Sequence, residues 1–209
     1  AERSDFLRFN RSALRQATQV TQAYATLAVV RGARRAEATL SLSGDPARDI
    51  TALNAERARL AADLDAVPDD PWLLLPEAAT HSTRDERGTL PEPAAVIDTV
   101  AHRAAGHDLV GFLAAGPVAR AYADSLGSRH WHRVESFHFD WCLYERADKA
   151  VKTAYAGRAW DDAAFEARLA DAAARAELLK RPPRALSPGA YRTAFAPAAM
   201  RELLGTLAW

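Results

Sequence analysis

The sequence predicts an α+β fold, a long antiparallel or mixed β-sheet with helices packed mainly on one face. Three observations predict it. Residues 4–44 carry strand-type alternation before any helical pattern appears. Two helical segments then follow in succession, and strands return over 108–156. A further helix pattern closes that second strand group, so the order departs from the one-for-one alternation of a parallel βαβ series. No internal repeat is visible.

The first strand region is clearest over Ala36–Ser43, where apolar and polar residues alternate at period two. Before it, Thr18 to Val30 is rich in Thr, Val, Tyr and Gln, and Arg31-Gly32 supplies a turn. Two long strands closing a hairpin are expected, apolar on one face and polar on the other, so that the sheet is covered on one side. Asp45-Pro46 then offers an N-cap followed by proline at the first helical position. Ile50, Leu53, Leu60, Leu64 and Val67 continue at helical spacing until Pro68-Asp69-Asp70-Pro71 ends the segment.

Residues 76–93 combine three prolines with Thr, Ser and many charges, and are expected to be a loop. A helix over Ala94–Ala105 follows, stopped by Gly106. Asp108–Ala114 is expected as a short apolar strand, with Gly116-Pro117 and Ser125-Leu126-Gly127-Ser128 as turns after it. Strands are expected over Trp131–Arg146 and Lys149–Ala156. Asp161–Lys180 reads as a helix that buries Phe165, Leu169, Ala172, Ala176 and Leu179, and Pro182-Pro183 stops it. Tyr191–Phe195 leads to a last amphipathic helix that begins at Pro197 and runs on to Trp209. The organisation expected is one α+β region with two sublobes, 1–75 and 94–209, joined by the loop 76–93. The opening Ala1 and the apolar final helix raise the expectation of a fragment of a longer protein.

Composition narrows the function classes. The chain has 209 residues, 49% hydrophobic and 26% charged, far from the signature of disorder. Lys plus Arg and Asp plus Glu both number 27, so no global field draws the chain onto nucleic acid or an anionic membrane. Arg31, Arg34 and Arg35 cluster at the expected turn without aromatic or glycine-rich context, and read as a solvated turn. No apolar run approaches the ~20 residues that span a bilayer. A single cysteine, Cys142, rules out an intrachain disulfide and fits a reducing compartment, so the cytoplasm is the expected location.

Within the strand Val134–Tyr144, Phe137, Phe139, Trp141 and Leu143 share one face, and Ser136, His138, Asp140 and Cys142 the other. Alternate residues of one strand stand ~6.6–7 Å apart, too far for direct activation of a thiolate by its own strand. A polar or half-covered sheet face is the plain interpretation; a self-contained enzyme using Cys142 with His138 or His130 is the alternative. His130-Trp131-His132 presents two imidazoles on one face, but no neighbouring ligand motif completes a zinc site. Neither a phosphate loop nor a G-x-S-x-G elbow is present.

The last helix carries Arg201-Glu202-Leu203-Leu204-Gly205-Thr206. Set against the H-E-x-x-x-H pattern of a zinc peptidase helix, Glu202 and Gly205 remain, while Arg201 and Thr206 stand where the imidazoles should be. Arginine has no lone pair to give a metal, and a hydroxyl is a poor zinc ligand.

Several ordered blocks around that segment carry a resemblance. They are Ser4-Asp5-Phe6-Leu7-Arg8-Phe9-Asn10 with Arg15-Gln16-Ala17 and Val20; Ala123-Asp124-Ser125-Leu126-Gly127; Lys149-Ala150-Val151-Lys152 with Tyr155-Ala156-Gly157-Arg158-Ala159-Trp160-Asp161; and Leu186-Ser187-Pro188-Gly189-Ala190-Tyr191-Arg192 with Ala196-Pro197 and Glu202-Leu203-Leu204. Together they resemble the N-terminal half of the TldD/PmbA metallopeptidase-related family. The resemblance implies a further β-rich C-terminal domain absent from this chain. It also implies two subunit types, a TldD type with the H-E-x-x-x-H zinc motif and a TldE/PmbA type without it. Arg201 and Thr206 place this chain with the second. No catalytic, cofactor-binding or metal-binding residue carries over, and zinc is expected in a TldD-type partner. The context implied is bacterial peptide processing, with unfolded or leader peptides as substrates and a TldD-type subunit or self-association as partnership. A purely structural assembly module is the remaining alternative.

Overall fold

The computed structural model describes residues 1–208; Trp209, at which the expected last helix stops, lies outside the described residues. Eight strands and four helices follow one another as β1 (Glu2–Asn10), β2 (Ala13–Gln22), β3 (Tyr24–Arg31), β4 (Arg34–Ser41), α1 (Pro46–Asp63), β5 (His81–Glu86), α2 (Pro93–Arg103), β6 (Asp108–Ala123), β7 (Arg129–Arg146), β8 (Lys149–Gly157), α3 (Asp162–Leu179) and α4 (Pro197–Leu207). The α+β class follows.

Six strands make the main sheet, in the order β2-β1-β6-β7-β5, with β8 also paired to β7. The ladders are antiparallel except that β5 runs parallel to the first third of β7, from His81↔Arg129 to Glu86↔Val134. β8 occupies the same edge of β7 further along, from Phe137↔Gly157 to Arg146↔Lys149. The eighteen-residue β7 is therefore the spine: β6 lies along it from Asp108↔Tyr144 to Ala123↔Arg129, and two strands share its other side.

The period-two pattern is realised face by face. Leu7, Phe9, Leu109, Leu113, Phe137, Phe139, Trp141 and Leu143 point to the covered face and are buried there with Val96 and Val100 of α2 and Phe165, Leu169 and Ala172 of α3. Phe165 is the hub of an aromatic cluster, with its ring centroid 5.9 Å from Phe139, 5.6 Å from Trp141 and 5.5 Å from Trp160. Aromatic rings at these spacings add specific edge and offset-stacked contacts to the area they bury. On the opposite face of the same strands Phe112, His138 and Tyr144 are exposed.

The β3–β4 hairpin forms a separate two-stranded sheet on which α1 packs, with Leu60 of the helix and Leu64 just after it buried. Asp45 caps α1 as expected, accepting from the backbone N–H of Ala47 and Arg48, and Pro46 opens the helix. The Arg31, Arg34 and Arg35 cluster at the hairpin turn is spent on ion pairs with Asp65, Asp69 and Glu37.

Four local expectations are corrected. Residues 4–44 form four strands rather than two, because the chain reverses at Arg11-Ser12, both at positive φ. Ser12 is held there by its hydroxyl, which donates to His107 O, and by its N–H, which donates to Leu109 O. The expected loop 76–93 contains strand β5. The expected short strand 108–114 extends through Gly116-Pro117 to Ala123, so that pair is strand interior and not a turn. Gly116 is required because β1 crosses it closely: a Cβ there would stand 2.0 Å from Arg3 O. Of the α1 stripe, Ile50 stays exposed while Leu60 and Leu64 are sealed.

Candidate functional site

Two regions gather the residues singled out by the sequence: helix α4 and the uncovered face of the main sheet. An ion pair joins them. Lys152, on the uncovered side of β8, places its Nζ 3.6 Å from Glu202 Oε1 on α4.

α4 begins at Pro197, whose missing N–H costs nothing at a first helical position. Its length puts Arg201, Glu202, Gly205 and Thr206 around one shallow concavity. Arg201 Nη2 lies 3.3 Å from Glu202 Oε1, so that carboxylate meets both a guanidinium and an ammonium. Thr206 Oγ1 donates to Glu202 O, one turn back, at 3.0 Å. These donors do not suit zinc. One carboxylate is shared by two cations, the guanidinium offers no lone pair, and the hydroxyl is turned onto the helix backbone. Among the described residues no cluster of three His, Cys, Asp or Glu side chains is placed to hold a metal ion. Met200, Leu203, Leu204 and Leu207 of α4 remain exposed.

On β7 the face assignment of Ser136, His138, Asp140 and Cys142 against Phe137, Phe139, Trp141 and Leu143 holds along the strand. The register sets His138 between Ala114 of β6 and Ala156 of β8, and Cys142 between Val110 and Lys152. No imidazole stands opposite Cys142 on either neighbouring strand. Burial first, and the Asp140 carboxylate second, push the Cys142 thiol above its ordinary value, against the opposing pull of Lys152. A nucleophilic cysteine needs the reverse, a cation or base that favours the thiolate.

His130 and His132 lie where β5 docks. His130 Nδ1 is 2.7 Å from Ser82 Oγ and Nε2 3.0 Å from Thr80 Oγ1, so both ring nitrogens are occupied by hydroxyls. The imidazole fastens β5 to β7. The expected turn at Ser125–Ser128 is present, with Asp124 accepting from the N–H groups of Leu126 and Ser128.

Sequence reasoning missed Lys152 as the residue facing Glu202, and missed Thr80 and Ser82 as partners of His130. Neither pairing has a sequence signal, since each joins segments about fifty residues apart. It also missed the open cleft lined by Phe6, Arg8, Gln16, Thr18 and Phe112, where the Phe6 and Phe112 rings stack at 5.5 Å. The alternation of β1 and β6 marks those residues as the uncovered set, but only the pairing Phe6↔Ala114 and Arg8↔Phe112 brings them side by side.

The main sheet, the paired helices on one side and the hairpin with α1 give the chain a shape that can be compared with solved structures. The crystal structure of TldE from Thermococcus kodakarensis superposes on 84% of this chain with a TM-score of 0.66 and 14% sequence identity. The fold is TldE-like. That superposition covers 42% of the TldE chain, so this chain spans less than half the length of the structure it matches. No family model matches the sequence, and no curated protein is similar to it in sequence. The TldE-like likeness, at this identity, is one of fold. No helix among the described residues is long and apolar enough to cross a membrane.

Proposed function

We propose that this protein is the non-catalytic, TldE-like subunit of a TldD/TldE-type metallopeptidase complex that processes or degrades unfolded or leader peptides in the bacterial cytoplasm. Zinc belongs, in this reading, to a TldD-type partner. The observation that carries it is the donor set of α4: on a TldE-like fold, the helix that resembles the metal-motif helix presents Arg201, Glu202 and Thr206, which do not suit zinc. The chain's own contribution is then structural, shaping the complex around a peptide. β2 is an end strand of the main sheet, and nine of its ten residues are exposed, so its outer edge offers unpaired backbone groups to an extended segment. Backbone pairing of that kind gives affinity with little dependence on sequence.

The test is metal and activity analysis of the full protein alone and mixed with a TldD-type subunit. The expected result is a zinc-free protein without peptidase activity, which co-elutes with the partner in a complex holding zinc in the partner alone. Stoichiometric zinc on the isolated protein, or hydrolysis of an unfolded peptide by it, would count against the reading. The Cys142 enzyme is not favoured, because the raised thiol pKa and the absence of an imidazole opposite it both oppose thiolate attack.

A further inference from the structure

We draw no further inference here: the strongest candidate, the exposed apolar stretch of Trp72, Leu74 and Leu75 in the loop between α1 and β5, carries nothing, because nothing in the structure shows what covers it and this chain spans less than half the length of the structure it matches.

Discussion

His130 Nδ1 sits 2.7 Å from Ser82 Oγ, across the parallel ladder that joins β5 to β7. The second ring nitrogen takes Thr80 at 3.0 Å, so one side chain fixes two residues at the entry of β5. β5 itself, His81-Ser-Thr-Arg-Asp-Glu86, buries no apolar residue. Its place on the spine rests on backbone pairing, on these side-chain bonds and on the ion pairs of Asp85 with Arg133 and Glu86 with Arg158. His130→Ala is therefore expected to cost about 1 kcal/mol, the net worth of one or two solvent-accessible hydrogen bonds. The effect is local: amide exchange should speed up across residues 81–86 and stay unchanged across 149–157. Equal acceleration of both strands would contradict this account.

Gly116→Ala is expected to be severe. The added methyl would lie 2.0 Å from Arg3 O and 2.8 Å from Ser4 Cα, both backbone atoms that move only if β1 moves. Overpacking against side chains costs ~1–3 kcal/mol, and displacement of a paired strand exceeds the lower end of that range. Chemical denaturation should report a loss of at least ~2 kcal/mol, against no loss and a gain of up to about 1 kcal/mol for Gly205→Ala within α4, where nothing stands within 4 Å.

Removing the aromatic hub is the corresponding test of the covered face. Phe165 is fully buried between Phe139, Trp141 and Trp160. Phe165→Ala should destabilise the protein by about 3–5 kcal/mol, the usual range for truncation of a sealed phenylalanine. Urea midpoints measure it. A cost near 1 kcal/mol would mean that α3 is not held to the sheet as described.

The Cys142 thiol is expected to react with iodoacetamide at a pH midpoint above that of an ordinary cysteine, because burial and then the Asp140 carboxylate disfavour the thiolate. Asp140→Asn removes a negative neighbour and should move the midpoint down. The rate–pH profile of the two proteins decides the sign. An upward shift in the variant would refute the assignment.

Acid should loosen the joint between β4 and α1 before the main sheet. Asp49 accepts from Ser43 N and Ser43 Oγ, both at 2.8 Å, and from Gly44 N at 3.1 Å. The Ser43 donors, backbone first, hold its carboxyl below the usual carboxylate range. A depressed folded-state value means that the contribution is present above the unfolded pKa and fades as pH falls through the folded one. Amide exchange of residues 43–49 against pH is expected to show this acid limb in the wild type and not in Asp49→Asn.

The covered face was legible in the sequence because alternation in a strand is a direct record of which side meets helices. Phe137, Phe139, Trp141 and Leu143 needed no other information, nor did the stripe of α3 from Phe165 to Ala176. Caps were legible for the same reason of locality: Asp45 and Pro46 act on the next three residues. What failed was everything settled by a distant partner. β5 has no apolar alternation and becomes a strand through β7, forty-eight residues on. Gly116-Pro117 has turn chemistry by itself but runs straight because β1 crosses beside it. The reversal at Arg11-Ser12 lacks the Asn-Gly signature of a tight hairpin and is held by Ser12 bonds to His107 and Leu109. The candidate site follows the same division. The chemistry of Arg201, Glu202 and Thr206 could be judged from residue type, whereas Lys152 beside Glu202 and the pairing of Arg8 with Phe112 exist only once strand register is known.

The spine arrangement of β7 also orders the assembly of the chain. β6, β7 and β8 are successive neighbours joined by short reversals, so their ladders close with little loss of chain freedom. β1 must find β6 across more than a hundred residues, as Glu2 meets Val118. The three-strand meander is therefore the natural nucleus, and the first hairpin and β5 are late arrivals that condense along its two sides. During translation the amino-terminal strands emerge first yet have no template, and they wait for the middle of the chain before their hydrogen-bonding edge is closed.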